Sequence, residues 1–150
     1  MSNRAFTSRR FAIIEALVEK LKDIDGTGDN LTNLYRNVSS KLLFWDEITD
    51  FPSVHVTAGS ETRQYQGAGY KDRFLSATIR CYVNEEDSIQ ALEALIEDIE
   101  TNIENNSRLF YTDRQGSPQY THQISIVEIN TDEGTLSPLG VGEILLEIRY

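Results

Sequence analysis

The sequence is poor in the residues that usually build chemical sites. It holds one cysteine, Cys81, two histidines, His55 and His122, and three prolines in 150 residues. A single thiol excludes an internal disulfide. No CxxC pair and no HExxH motif is present, which argues against a zinc site. Asp23, Asp25 and Asp29 lack the spacing and the final Glu of a calcium-binding EF-hand loop. No GxSxG elbow occurs. Gly140-Val141-Gly142 leads into a strand, not a helix, so it is not a phosphate cradle. The 24 acids always contain pairs, so paired carboxylates of the glycosidase kind carry no signal. We expect no enzyme, no metal and no cofactor. His55, in a strand beside Val54 and Val56, is expected at the surface.

Long apolar runs are also missing. Nothing approaches the roughly 20 residues of a membrane span. Glu15 and Glu19 interrupt the N-terminal segment, so neither a signal peptide nor a membrane partner is expected. Cys81 then reads as a small apolar filler in a reducing compartment, the cytoplasm. Cations are scarce: 14 Lys and Arg face 24 Asp and Glu, giving a net charge of −10. Such a surface repels phosphate, so free duplex DNA is not a tight ligand. It suits either plain solubility or a wall past which DNA slides.

What is present is an ordinary globular pattern, and the length fits one domain over residues 1–150. In Arg73–Val83, Leu75, Ala77, Ile79, Cys81 and Val83 alternate with Phe74, Ser76, Thr78, Arg80 and Tyr82, which predicts a long strand. Asn84 caps a following helix, with Glu85, Glu86 and Asp87 suited to its positive end. In that helix Ile89, Leu92, Leu95, Ile96, Ile99 and Ile103 form the stripe, and Glu93, Glu97, Asp98 and Glu100 occupy other faces.

An earlier helix, capped by Thr7 or Ser8, carries Phe11, Ile14, Leu17, Val18, Leu21 and Ile24 on one stripe. Arg9 and Arg10 sit in its first turn, where the helix dipole disfavours them. They are either a solvated pair or an interface with an acidic neighbour. Residues 33–38 suit a short strand, and residues 42–45 a short strand or a helical turn. Ser53–Ala58 reads as a strand ended by Gly59, with Trp45 and Phe51 as anchors over the sheet edge. Glu61–Tyr82 reads as a hairpin whose tip gathers Arg63, Tyr65, Tyr70, Lys71 and Arg73. Leu109–Tyr111 suits a short strand, and residues 112–118 a turn. Thr121–Ile129 is a strand, residues 135–142 a loop, and Glu143–Tyr150 a final strand with Ile144, Leu146, Ile148 and Tyr150 on one face. The order implies an α+β fold, a mostly antiparallel or mixed sheet flanked by two main helices.

Two strings add a resemblance. Lys41-Leu-Leu-Phe-Trp-Asp-Glu-Ile-Thr-Asp-Phe-Pro-Ser-Val runs on to Glu61-Thr-Arg-Gln-Tyr and Phe74-Leu-Ser-Ala-Thr-Ile-Arg. Near the end stands Thr131-Asp-Glu-Gly-Thr-Leu-Ser-Pro-Leu-Gly-Val-Gly-Glu-Ile. Together they resemble the tail terminator (tail completion) proteins of long-tailed bacteriophages, over most of the chain. The resemblance implies a small domain that assembles as a ring, usually a hexamer, on the last ring of tail-tube subunits. It would stop tube growth at the length set by the tape measure protein and present a surface for joining tail to head. Its place would be the head-proximal end of the virion tail, assembled in the host cytoplasm. Its partners would be further copies of itself, the tube protein, a head completion or neck protein and the tape measure protein. DNA would pass through the lumen without specific binding.

A closed ring needs two different patches per subunit. Arg63, Tyr65, Tyr70, Lys71 and Arg73 are either a solvated hairpin end or a partner surface, since Tyr and Arg are enriched at interface hot spots. Leu136, Pro138 and Leu139 in the last loop are taken as candidates for another partner surface. Two further readings stay open: a head-side connector, and a small cytoplasmic enzyme or ligand-binding domain with a concave apolar pocket.

Overall fold

A computed structural model describes residues 8–150. Thr7 lies outside them, and Ser8 is the helix cap, its hydroxyl accepting from Phe11 N at 3.2 Å. Helix α1 spans Arg9–Leu21. Strand β1 is Val38–Ser39, β2 is Ser53–Tyr65 and β3 is Lys71–Asn84. Helix α2 is Ser88–Asn105. Strands β4 (Phe110–Thr112), β5 (Pro118–Tyr120), β6 (Gln123–Thr131) and β7 (Leu139–Arg149) follow.

The five-stranded sheet runs β1-β2-β3-β7-β6, and β4 and β5 form a separate small ladder. The β1–β2 pair is parallel and the other pairs in the sheet are antiparallel, so the sheet is mixed and the fold α+β. β3 lies at its centre, with β7 beside it. Their inward residues, Leu75, Ala77, Ile79, Cys81 and Val83 with Ile144, Leu146, Ile148 and Tyr150, are all buried, as the alternation predicts. Both helices cover this face, and one continuous core joins them to it. Cys81 is buried there, and burial pushes its thiol up to about 12, so it is an unreactive filler. No helix among the described residues is long and apolar enough to cross a membrane.

Several expectations are corrected. Asp87, not Asn84, caps α2, accepting from Gln90 N at 3.2 Å. The reason is that β3 continues to Asn84, which pairs with Leu139, so the chain needs three more residues to turn. β2 does not end at Gly59 but runs through it, with a bulge between Ala58 and Glu61. β7 starts at Leu139, so Gly140 and Gly142 lie inside a strand. A Cβ on Gly142 would stand 2.8 Å from Cys81 Sγ and 3.1 Å from Leu92 Cδ1, so the close approach of α2 requires glycine there.

Phe11 and Ile89 are exposed, not core. At about 100° per residue, Phe11 lies roughly a quarter-turn from the centre of the α1 stripe. Ile13, absent from the expected stripe, is buried instead. Trp45 begins a single 3-10 turn and is 53% exposed, so it is not part of the core. Val127 is 65% exposed because a bulge between Ile126 and Glu128 takes it out of register.

Two polar residues move the other way. His55 is buried, not at the surface. Its ring lies 3.0 Å from both Ser39 Oγ and the Lys41 carbonyl and 2.6 Å from Ser53 Oγ, and it packs edge-on to Tyr82. It thereby ties residues 39–41 across the otherwise open face of the sheet. Asp98 is also buried. Its carboxylate accepts from Leu31 N at 3.0 Å, Thr32 N at 2.7 Å and Thr32 Oγ1 at 2.6 Å, pinning the loop after α1 to α2.

Candidate interaction surfaces

The β2–β3 hairpin positions the first set of candidate residues. Arg63 pairs with Arg73 and Tyr65 with Lys71 across the ladder. By strand alternation these four share the helix-side face of the hairpin. Tyr65 and Tyr70 are 73% and 72% exposed, and Lys71 Nζ sits 5.7 Å from the Tyr65 ring centre. Arg63 and Arg73 instead turn toward the base of the hairpin.

There they meet Glu61, Tyr150 and the arginines at the start of α1. Glu61 is the hub: its side chain is 5% exposed, it accepts from the Tyr150 hydroxyl at 2.5 Å and it pairs with Arg63 Nε at 2.7 Å. Arg10 Nε stands 4.0 Å away and another Arg10 nitrogen donates to the Gly59 carbonyl. Burial raises the Glu61 carboxyl's affinity for a proton. The Tyr150 hydroxyl, Arg63 and Arg10 outweigh that and hold it below the ordinary 4.5. The Tyr150 phenol is pushed up to about 12, by burial first, then by its hydrogen bond to Glu61 and the Glu61 charge. Arg9 and Arg73 both stack on the Tyr150 ring, at 5.6 and 5.4 Å from its centre.

The result is a groove of about 420 Å³ lined by Arg9, Arg10, Arg63, Arg73, Arg114 and Tyr150, with Asp113 at its rim. Five of the chain's 14 cationic side chains converge on it. Sequence reasoning singled out Arg9 and Arg10, as misfits at a helix start, and Arg63 and Arg73, as part of a hairpin tip. No spacing rule joins the two pairs, because α1 and the hairpin meet only in the folded chain.

The second candidate set lies at the opposite end of the sheet. Leu136 is 41% exposed and Pro138 is exposed, whereas Leu139 is half-buried as the first residue of β7. Asp132 shapes this loop by accepting from Leu136 N at 3.0 Å and Val141 N at 3.1 Å. Gly134 has φ +83°, and a Cβ there would stand 2.8 Å from Ile89 Cδ1, so loop and helix close on a glycine. Glu85 N donates to the Pro138 carbonyl, which joins the loop to Glu85, Glu86 and Asp87. The two sets therefore occupy opposite ends of β3 and β7 and are not brought together. No group of acids, histidines and cysteine suited to a metal occurs among the described residues.

These features define a small two-layer α+β subunit whose distinctive groups lie at its ends. Residues 7–150 match the family described as Bacteriophage Tail Tube Terminator Protein. The chain is 38% identical over 149 residues to the tail tube terminator protein p142 of Escherichia phage T5, covering 94% of this chain and 92% of that protein. Its fold is similar to that of a chain in the virion of a native gene transfer agent particle, with TM-score 0.57 and 11% identity, over 93% of this chain and 97% of that one. The chain belongs to the bacteriophage tail tube terminator family. It is a structural component of the virion tail and not an enzyme, which sets aside the ligand-binding reading.

Proposed function

We propose that copies of this chain close into a ring, a hexamer, on the end of the tail tube, stop its growth and form the surface to which the head is joined. The observation that carries this reading is the separation of two unlike surfaces. The basic, aromatic hairpin with Arg63, Tyr65, Tyr70, Lys71 and Arg73 lies at one end of the sheet. The loop with Leu136, Pro138 and Leu139 lies at the other. A subunit that offers different patches at its two ends makes heterologous contacts, which close as a ring when the rotation allows. The ring sits at the head-proximal end of the tail and assembles in the host cytoplasm. It meets the tube protein on one side and a head completion or neck protein on the other, with the tape measure protein setting where it acts. The net charge of −10 per copy keeps DNA passing through the lumen from adhering.

Tube protein, tape measure protein and this chain, mixed and imaged by electron microscopy, test the proposal. Tubes of uniform length, capped at one end by a ring of this chain, are expected. Rings that bind portal or adaptor assemblies and never tube ends would instead place the chain on the head side.

A further inference from the structure

The arginine groove breaks several local rules at once. Arg9 and Arg10 occupy the first turn of α1, where the helix dipole is positive and no acid accompanies them. Arg63 and Arg73 stand directly opposite on adjacent strands, a like-charge pairing that weakens a ladder. Arg9, Arg73 and Arg114 form no ion pair among the described residues. The Nε of Arg9 is buried without a hydrogen-bond partner. The carboxylates within reach are already engaged. Glu61 is held by Tyr150 and Arg63, and Asp113 accepts from Gln115 N and Ser117 N of its own turn and from the Gln119 side chain. Within the chain Arg10 and Arg63 share Glu61, Arg9 donates to the Tyr111 hydroxyl and stacks with Arg73 on Tyr150, and no carboxylate balances Arg9, Arg73 and Arg114. They are arranged for anionic groups from outside.

The same molecule carries the complement. Glu85, Glu86 and Asp87 are exposed at the far end of β3, with exposed Glu133 in the adjoining loop. No Lys or Arg occurs in residues 84–88 or 131–139. The groove and this acidic end are separated by the length of β3 from Arg73 to Asn84, roughly 36 Å at about 3.3 Å per residue. A cationic groove at one end and an unneutralised acidic end at the other suit head-to-tail contact between copies. We propose that in the ring the arginine groove of each copy receives the acidic end of the next, Glu85 and Glu86, beside the α2 cap Asp87, entering against Arg9, Arg73 and Arg114. This deepens the ring reading and rests on it. Nucleic-acid phosphate is the lesser occupant, because the excess negative charge on the rest of the surface repels a long polyanion.

Charge reversal at each end tests the contact. Arg73→Glu with Arg114→Glu reverses two charges in the groove, and Glu85→Arg with Glu86→Arg reverses two charges at the acidic end. Each double variant is checked for folding by its circular dichroism and melting temperature, then for rings by native mass spectrometry and by imaging of tube ends. Each alone should lose about tenfold or more of the ring fraction at equal concentration. An equimolar mixture should restore rings, with the two variants alternating. The wild-type ring should weaken as salt rises to about 1 M. A folded groove variant that rings like wild type overturns this contact while leaving the ring reading intact, as does a mixture of folded variants that fails to assemble. A groove variant that rings normally but no longer retards duplex DNA overturns it in favour of phosphate. A wild-type chain that forms no ring, free or on tubes, overturns the ring reading and this contact with it.

Discussion

Between Leu75 and Val83, β3 alternates cleanly, every inward residue is buried, β7 pairs with it residue for residue, and β2 does so from Ala77 to Tyr82. Two residues before Leu75 the same strand places Arg73 opposite Arg63 and under the arginines of α1. The middle agrees with itself at each level, propensity, pattern and packing, as a sequence selected to fold should. The hairpin end spends local stability on like charges held close together. Conflicts of this kind gather where a protein meets something else.

The contrast can be broken or sharpened. Ile79→Ala in the middle should cost about 2–5 kcal/mol, read as a lower urea midpoint with an unchanged slope, since the cavity it leaves is walled by strands and helix. Asp98→Ala should cost about 1–3 kcal/mol in the same assay, because it strands the Leu31 and Thr32 amides. If Asp98→Ala is neutral, the loop after α1 is held by something else.

The pH dependence separates two further groups. Burial lowers the proton affinity of His55 below the ordinary 6.5, partly offset by the Lys41 carbonyl. A histidine with a depressed folded value must stay neutral to stay folded. Stability is therefore full above pH 6.5 and declines as pH falls below it, and His55→Gln should remove that decline from a melting-temperature series. Glu61 has the opposite chemistry and the same sign. Its depressed value gives stability that is present above pH 4.5 and lost as pH falls through the folded value, so Glu61→Gln should flatten the curve only in that lower window. A Glu61→Gln protein that still loses stability there like wild type would remove Glu61 as the hub.

The smallest effect has the reverse direction. Arg73→Thr at the hairpin end should leave stability unchanged or raise it by about 0.5 kcal/mol, by relieving the Arg63 pairing, while weakening the ring. A loss like that of Ile79→Ala would show that the hairpin end is part of the folding core and not a reserved surface.

Much of the fold was legible because the signals were local. The period of two in β3 and β7 and the helical stripe of α2 are properties of short windows. So were the hairpin turn and the basic, aromatic character of its tip. The Asp-Glu-Gly…Gly-Val-Gly string served as a family marker without a mechanism, and the structure supplies one: Asp132 orders the loop, Gly134 admits Ile89 and Gly142 admits α2. The Trp45 string works through its backbone: the Lys41, Leu43 and Pro52 carbonyls meet His55, Tyr82 and Asn37, while the Leu42, Phe44 and Trp45 side chains are exposed.

By itself the sequence determined the two helices and the middles of the long strands, which faces of them are apolar, and that the chain carries a large excess of negative charge, because each depends on residue type and neighbour spacing. Tertiary structure alone decided that β5 pairs with β4, that His55 and Asp98 go inward, and that Arg9 and Arg10 meet Arg63, Arg73 and Tyr150. Those outcomes depend on which elements come together across the chain, and long-range packing leaves no periodic trace in any one segment.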